Sequence, residues 1–539
     1  MNFNQILDLK LKEQTNTIIH KKLKDLPPPE SLKNNFKAAK RILEHLNNGK
    51  RMLIVGDYDC DGIMATTILY SFLIEAGYSK FNVDYIIPSR LKDGYGVSTN
   101  IIDYAMENVF DFIVTVDNGI AAIDAVKYSN ENNIEVIITD HHTVPKTLPE
   151  AYTIVNPRVD GETFPFPWIS GATVAWYLTA ALKKELKSNI DIKKYLDYVA
   201  LTVVSDVMPL NDINLAILNY GLKEIKKRKR LFYQLVWNDW TSPTINETSL
   251  SFDLVPKINA IGRISDANIG VEMFTSNDTE NIKRLFDKMT KINEERKEMS
   301  RSYIKEAEEI LHDIKGYEDE NVVIVRNKDF HEGIVGIIAG KLAEKYGKPA
   351  YVFSYNEEKD LWKGSARSVG NIHLYDITAE ATSFIAGFGG HKGAVGLAVT
   401  EKNWEDFVKS LQKTTKGIED SEFIDQDKIP LECNISDINM ETISILEKYG
   451  PYGNGNQKPI FKSKANIFIA KELKNGLHFK VKLEDNGFNI FGLFFNVDKK
   501  TFLSQIEDEN NEFTFDTSKS YDLRQNSFSV ELLCNMIIN

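Results

Sequence analysis

Between residues 51 and 156, short apolar runs alternate with stretches of helical period. The runs cover 52–56, 83–87, 111–116, 134–138 and 152–155, and helical patterns include 63–76 and 120–131. Runs this short and this apolar fit buried strands. Alternating with helices, they predict βαβ units, a parallel sheet and right-handed crossovers. Two helical patterns flank Pro27-Pro28-Pro29 and read as an N-terminal lead-in. A mainly helical stretch runs from about 171 to 235, and 278–315 is charged, helical in period and free of Pro and Gly. That segment predicts one long helix joining two lobes. A second α/β unit follows at 320–400, with VVIV, GIVGIIAGKLAEKY and AYVFS as strand, helix and strand. Beyond 425 the texture becomes alternating: PIFKSKANIFIAKEL, HFKVKLEDNGFNIFGLFF and NSFSVELLCNMII suggest five strands of an OB-like barrel, a common single-strand-binding module. The expected boundaries are 1–45, 46–277, 278–317, 318–425 and 426–539.

In a parallel sheet, ligands bind outside the carboxyl ends of the strands. The first strand ends in Asp57, Asp59 and Asp61 before Gly62. The third ends in Asp117-Asn118-Gly119, and the fourth in Asp140-His141-His142. Three carboxylates within five residues repel one another and are costly to bury without compensation. A divalent cation supplies it, and oxygen ligands suit Mg²⁺, Mn²⁺ or Ca²⁺. An EF-hand begins with the same D-x-D-x-D-G but needs a bidentate Glu at its twelfth position, where this chain has Ile68. Its preceding element is also strand-like, so the EF-hand fails twice. Asp117-Asn118-Gly119 alone is also a good turn, and Asp140 alone a good helix cap. Together the three strand ends predict a metal site. An apolar helix, YVALTVVSDVMPL, brings Asp206 as a further candidate ligand.

Composition narrows the setting. The chain has 539 residues, 42% hydrophobic and 26% charged, which suits roughly three or four globular domains. No apolar run approaches the roughly 18 residues of a membrane helix, and MNFNQILDLKLKEQ has no signal-peptide core. Cys60, Cys433 and Cys534 lie far apart, with neither a disulfide framework nor zinc spacing, so a cytoplasmic protein is expected. A net charge of −12 argues against broad attraction to nucleic acid but allows basic residues confined to one groove. The run Lys223–Arg230 reads as a solvated helix face or a phosphate-tracking patch.

Two later segments suit anion binding. In LVPKINAIGRISDAN, Arg263 is expected in a Gly-bearing turn, where a guanidinium can grip phosphate bidentately. GSARS at 364–368 and GFGGHKGAVGLAV at 387–399 bring backbone N–H groups close to a ligand, with Arg367 and His391 supplying charge.

These motifs, in this order, resemble the DHH phosphoesterase superfamily. The resemblance implies that Asp57, Asp59, Asp61, Asp117, His141 and Asp206 hold two divalent ions. Spacing does not assign the three acidic residues of the first motif to one ion or the other. Asp140 and His142 fall where the family has supporting or phosphate-facing groups, so His142, Asp140 and Asp117 are the expected catalytic residues. The second α/β unit resembles the DHH-associated domain, whose G-G-H motif grips substrate phosphate. Arg263, Ser365, Arg367, Gly389, Gly390 and His391 are therefore the expected substrate-binding set. Mixed histidine and carboxylate ligation leans towards Mn²⁺ over Mg²⁺.

The NAIGR segment, the Gly453-Asn454-Gly455-Asn456-Gln457 connector and the barrel resemble the single-strand-specific 5′→3′ exonuclease branch, although the proline often found after Asn is absent. The resemblance implies two-metal hydrolysis of single-stranded DNA to 5′-mononucleotides, in repair or recombination. A helicase or single-strand-binding protein is an open partner, and a monomer is the default. Rival expectations share the fold: a phosphodiesterase of short oligonucleotides or cyclic dinucleotides, an inorganic pyrophosphatase, or an inactive replication scaffold. The first has no need of the barrel. Chain length and a missing basic anion clamp tell against the second, and the last would be expected to lose ligand residues.

Overall fold

The computed structural model describes residues 1–16, 22–90, 93, 96–237, 245–424, 431–464, 466–473, 478–485, 487–495, 512–516 and 533–535. Contacts divide the chain into two compact units. One comprises Met1–Asn259, Asp266–Asp287 and Pro430–Asn539, the other Ala260–Ser265 and Lys288–Ile429. Among the described residues, no helix is long and apolar enough to cross a membrane.

The first unit is built on a five-stranded parallel sheet of order β2-β1-β3-β4-β5, with β1 Met52–Val55, β2 Val83–Ile86, β3 Phe112–Val116, β4 Glu135–Thr139 and β5 Thr153–Val155. Every residue of β1 and β3 is buried, which is why these strands read as unbroken apolar runs. Leu53, Val55, Ile113, Val136 and Ile138 pack against Ile101, Ile102 and Val126 of the crossover helices. Those helices are Thr99–Glu107 and Ile123–Glu131. The helix Cys60–Glu75 follows β1 and is buried on nearly every side. Next come the helices Gly171–Glu185, Leu196–Ser205 and Asp212–Lys226. The basic run ends in Arg230, whose guanidinium is 2.6 Å from buried Asp197 and lies over Tyr198. That cation is a structural anchor.

The N-terminal helix Phe3–Asn16 does more than lead in. Leu7 and Leu11 share a core with Ile435, Leu446, Phe461, Val481, Leu483 and Ile490. Asn4 Nδ2 donates to Glu441 at 2.9 Å, and Gln14 Nε2 to Asn456 Oδ1 at 2.9 Å. The chain's first helix thus completes the hydrophobic core of its last segment. There the described strands number seven rather than five. A four-stranded sheet runs β11-β12-β16-β17 (Leu431–Glu432, Ile460–Lys464, Glu512–Asp516, Leu533–Asn535), and a three-stranded one β13-β14-β15 (Asn466–Leu473, His478–Asp485, Phe488–Phe495). Most of the expected NSFSVELLCNMII strand lies outside the described residues.

The second unit holds a mixed sheet of order β6-β7-β8-β10-β9, from β6 Val323–Arg326, β7 Ala350–Asn356, β8 Leu361–Arg367, β9 Gly387–His391 and β10 Ala394–Thr400. Period-two alternation puts helices on both faces. Tyr351 and Phe353 pack on Trp404, Phe407 and Leu411, while Ala350 and Val352 pack on Ile338, Ala339 and Leu342. The long helix is continuous from Thr279 to Asp313.

Candidate active site

The carboxyl ends of β1, β3 and β4 converge in the first unit. His141 Nε2 lies 3.1 Å from Asp117 Oδ1, 3.6 Å from Asp206 Oδ2 and 3.7 Å from Asp61 Oδ2. Three overlapping groups have ligand atoms within 4.8 Å of one another: Asp117-His141-His142, Asp61-His141-Asp206 and Asp57-Asp59-Asp117. Asp117 and His141 each belong to two of them.

The local chain explains how acids come to be buried there. Asp59 caps the helix Cys60–Glu75, accepting from Asp61 N and Gly62 N. A Cβ on Gly62 would fall 2.3 Å from Asp57 O, so only glycine lets the helix start that close to the strand end. Asp61 accepts Gly171 N at 2.6 Å and Ala172 N at 2.8 Å, taking charge-assisted bonds from a helix N-terminus. A Cβ on Gly171 would meet Asp117 Oδ1 at 2.2 Å. Asp117 itself is left-handed, φ +64, a strained conformation of the kind that gathers at functional sites. Its Oδ1 is buried and has no hydrogen-bond partner among the described residues. A buried carboxylate oxygen without a hydrogen bond, facing a histidine and other carboxylates, fits a cation-binding role, since the cation would offset its desolvation.

Charge at the cluster divides along these lines. Burial pushes Asp57 and Asp117 well above the carboxylate range, and their acidic neighbours add to it. Burial, then Asp59, raises Asp61 to about 7; burial, then Asp61 and Asp59, raises Asp206 to about 9. Burial, followed by the charge of His142, pushes His141 down to about 3, keeping its imidazole neutral as a ligand must be. Asp140 is the exception. Burial opposes its charge, but hydrogen bonds and charge from His142 outweigh that and hold it at about 2. Asp140 Oδ1 accepts His141 N at 2.7 Å, His142 N at 3.0 Å and His142 Nδ1 at 2.7 Å; Oδ2 accepts Ile120 N at 2.9 Å. It organises the turn. Burial likewise works against a charged His142, yet Asp140, Asp57 and Asp206 prevail and raise it to about 9.

Four further residues also build the site, Arg90 and Arg158 outside any motif, Asn259 and Asn454 within the NAIGR segment and the Gly453–Gln457 connector. Arg90, beyond the end of β2, stacks 4.6 Å from the Tyr58 ring and its charge reaches Asp57. Arg158, beyond the end of β5, acts electrostatically on Asp140 and His141. Asn259 Oδ1 accepts Cys60 N at 2.8 Å, fixing the loop between Asp59 and Asp61. Asn454, in the C-terminal connector, holds the loop after Asp206: its Nδ2 donates to Val207 O at 2.9 Å, and its O accepts Leu210 N at 2.7 Å. Val207 is itself left-handed, φ +51, so that loop is strained and tethered. Asn454→Ala should weaken divalent-ion binding roughly tenfold by calorimetric titration, because groups that orient ligands carry about that much affinity. Melting should fall by only the equivalent of about 1 kcal/mol.

The residues expected to bind substrate phosphate all belong to the second unit. Arg263 lies on the helix Val255–Ile264 rather than in a turn, because NAIGR continues a helical apolar stripe through its glycine. Its guanidinium donates to Gly333 O at 3.3 Å. Arg367 donates to Ser365 Oγ at 2.8 Å, and a Cβ on Gly336 would lie 3.0 Å from its Nη2. Gly336 opens the helix Val335–Tyr346. Two guanidiniums and a hydroxyl thus cluster near a helix N-terminus, a favourable setting for phosphate. Gly389, Gly390 and His391 lie on exposed edge strand β9, paired with β10, whose Ala394 faces both His391 and Arg367 in register. That register leaves one strand, β10, between His391 and Arg367, whose charge, after burial, lowers the His391 pKa.

Residues 51–203 match the DHH family, N-terminal domain; 319–417 match the DHHA1 domain; and 429–532 match the RecJ OB domain. A Bacillus subtilis protein described as single-stranded-DNA-specific exonuclease RecJ is 32% identical over 83% of this chain, which spans 56% of that protein's length. Its Haemophilus influenzae counterpart is 29% identical over 89% of this chain and 87% of its own. The crystal structure of Thermus thermophilus RecJ in complex with Mn²⁺ superposes with a TM-score of 0.74 at 24% identity, covering 95% of this chain and 72% of that one. The chain thus carries matches to the DHH, DHHA1 and RecJ OB domains, following one another in that order.

Proposed function

We propose that this protein is a metal-dependent exonuclease that degrades single-stranded DNA from the 5′ end to 5′-mononucleotides. The observation that carries the reading is the overlap of three cation-competent groups on Asp117 and His141, with Asp117 Oδ1 buried and without a hydrogen bond among the described residues. Asp57, Asp59, Asp61, Asp117, His141 and Asp206 are the proposed ligands of two ions, Mn²⁺ in preference to Mg²⁺. Bound there, the ions would activate water and offset charge on the leaving oxygen. The remaining work falls to the chain. His142, charged and oriented by Asp140, meets a phosphate oxygen or protonates the leaving 3′-oxygen. In the second unit, Arg263, Ser365, Arg367, Gly389, Gly390 and His391 are the proposed grip on the terminal phosphate. The domain matches at 51–203, 319–417 and 429–532 support the same reading; the proposed domains are 46–277, 318–425 and 426–539, with the last guiding the strand. Names of the relatives support it, and a cytoplasmic monomer supplied by a helicase or single-strand-binding protein is the proposed setting.

Digestion of a 5′-labelled single strand with Mn²⁺, Mg²⁺ or EDTA tests the proposal. Expected is release of labelled mononucleotide with either ion, faster with Mn²⁺, and none with EDTA. Cleavage confined to dinucleotides would move the assignment to the small-nucleotide branch. A protein inert with every ion would be a scaffold.

A further inference from the structure

The segment that joins β5 to the helix Gly171–Glu185 is fastened to the metal-competent cluster through Asp61. Gly171 and Ala172 give their N–H groups to Asp61 at 2.6 and 2.8 Å. Ile169 and Ser170 are buried. The residue just before them is Trp168, and it is 54% exposed. Large aromatic side chains usually bury most of their surface, so an indole displayed beside a buried acidic cluster calls for a reason.

The indole is also held in place. Arg158 lies over one face, its guanidinium 4.2 Å from the ring centroid. Arg158 N donates to Asn156 Oδ1 at 2.9 Å, and Asn156 Nδ2 donates to His142 O at 3.1 Å. On the other side, Asn214 Nδ2 donates to Trp168 O at 2.7 Å and to Pro209 O at 3.1 Å, linking this segment to the loop after Asp206. An unbroken set of contacts thus runs from His142 through Asn156 and Arg158 to the ring. The platform is cation-backed, fixed by its backbone, and open to solvent.

We propose that Trp168, backed by Arg158, is a stacking platform for the nucleobase next to the phosphate undergoing hydrolysis. The proposal rests on the exonuclease reading. A purine or pyrimidine of any identity presents a flat face that an indole can stack, which suits an enzyme without sequence preference. The Arg158 charge adds attraction for the neighbouring phosphate and polarises the stack.

The test compares wild type, Trp168→Ala and Trp168→Phe on a 5′-phosphorylated oligodeoxynucleotide in Mn²⁺, and on the same strand with abasic residues at its two 5′-terminal positions. On the normal strand Trp168→Ala should raise KM roughly tenfold, the usual scale for losing one stacked base, with a smaller change in kcat. Trp168→Phe should recover most of the affinity. On the abasic strand the wild type and Trp168→Ala should have equal KM. An equal loss on both strands would mark Trp168 as structural and overturn the proposal, as would an unchanged KM on the normal strand. Quenching of tryptophan fluorescence by the normal strand, measured in EDTA, gives a second readout. A wild type that hydrolyses neither strand refutes the exonuclease reading, and the platform falls only if the quenching is also the same in Trp168→Ala.

Discussion

Asp117→Asn is expected to lower kcat on single-stranded DNA by about three orders of magnitude in saturating Mn²⁺, while the metal-free variant melts higher than wild type. The first effect follows from the sharing of Asp117 by two of the three cation-competent groups. Losing its charge disturbs both proposed ion positions, and about 4 kcal/mol of transition-state stabilisation corresponds to roughly a thousandfold in rate. The second effect follows from the cost of the same carboxylate without an ion. Asp117 is buried, held at φ +64 and repelled by Asp61, Asp59, Asp57 and Asp206. Asparagine is the substitution of choice because it tolerates the left-handed backbone and keeps the shape.

The sign of the pH dependence is fixed by the direction of the shifts. Asp117, Asp61 and Asp206 all have folded pKa values raised above the ordinary 3.8, Asp206 to about 9. The folded state therefore holds these protons more tightly than the unfolded chain does. That contribution is complete below about pH 4 and is lost as pH rises through the folded values. Metal-free wild type should thus melt progressively lower from pH 6 to pH 9. Asp117→Asn removes one ionisation and should fall less steeply, melting roughly 2–6 °C above wild type at pH 8 if about 1–2 kcal/mol of repulsion is relieved. Mn²⁺ should raise the melting temperature of wild type and do much less for the variant. A variant that keeps its activity, or that melts below wild type in EDTA, would remove Asp117 from this role.

The parallel sheet was legible because its strands are buried on both faces and so appear as apolar runs. Asking what stands at each strand end then led to Asp57, Asp117, Asp140 and His141. The same question put to the second and fifth strands would have reached Arg90 and Arg158, which follow the ends of β2 and β5 without forming a recognisable motif. Asn259 and Asn454 were beyond that question. Each acts through a hydrogen bond to a residue distant in the chain, Asn259 to Cys60 and Asn454 to Val207, and no local pattern encodes such docking. The first helix misled for the same reason: Leu7 and Leu11 give an amphipathic stripe, but nothing in that stripe names Phe461 and Val481 as its partners. Arg263 was placed in a turn on the strength of Gly262, whereas the flanking apolar period carries the helix through it.

His142→Ala should reduce kcat by about 10²–10³-fold, the range for removing a positioned acid or base, with Mn²⁺ affinity changed far less. His142 Nδ1 is engaged 2.7 Å from Asp140 Oδ1, so Nε2 is the nitrogen directed elsewhere, and the side chain is 41% exposed. A ring held charged by a buried carboxylate and still reachable by substrate suits contact with a developing oxyanion. Asp140→Asn separates this role from mere structure. Burial alone would lower the His142 pKa; the Asp140 hydrogen bond and charge reverse that and bring it to about 9. If catalysis needs the charged ring, activity falls on the alkaline side as the ring loses its proton. Removing the Asp140 charge should move the alkaline limb of kcat down by about 1–3 pH units, the effect of an opposite charge at hydrogen-bond distance. Asparagine would also disturb the N–H groups of His141, His142 and Ile120 that Asp140 accepts, costing about 1–3 kcal/mol of stability at any pH. That cost lowers melting but does not move a pH limb. An alkaline limb unchanged in Asp140→Asn would mean that the charge on His142 plays no part in the chemical step.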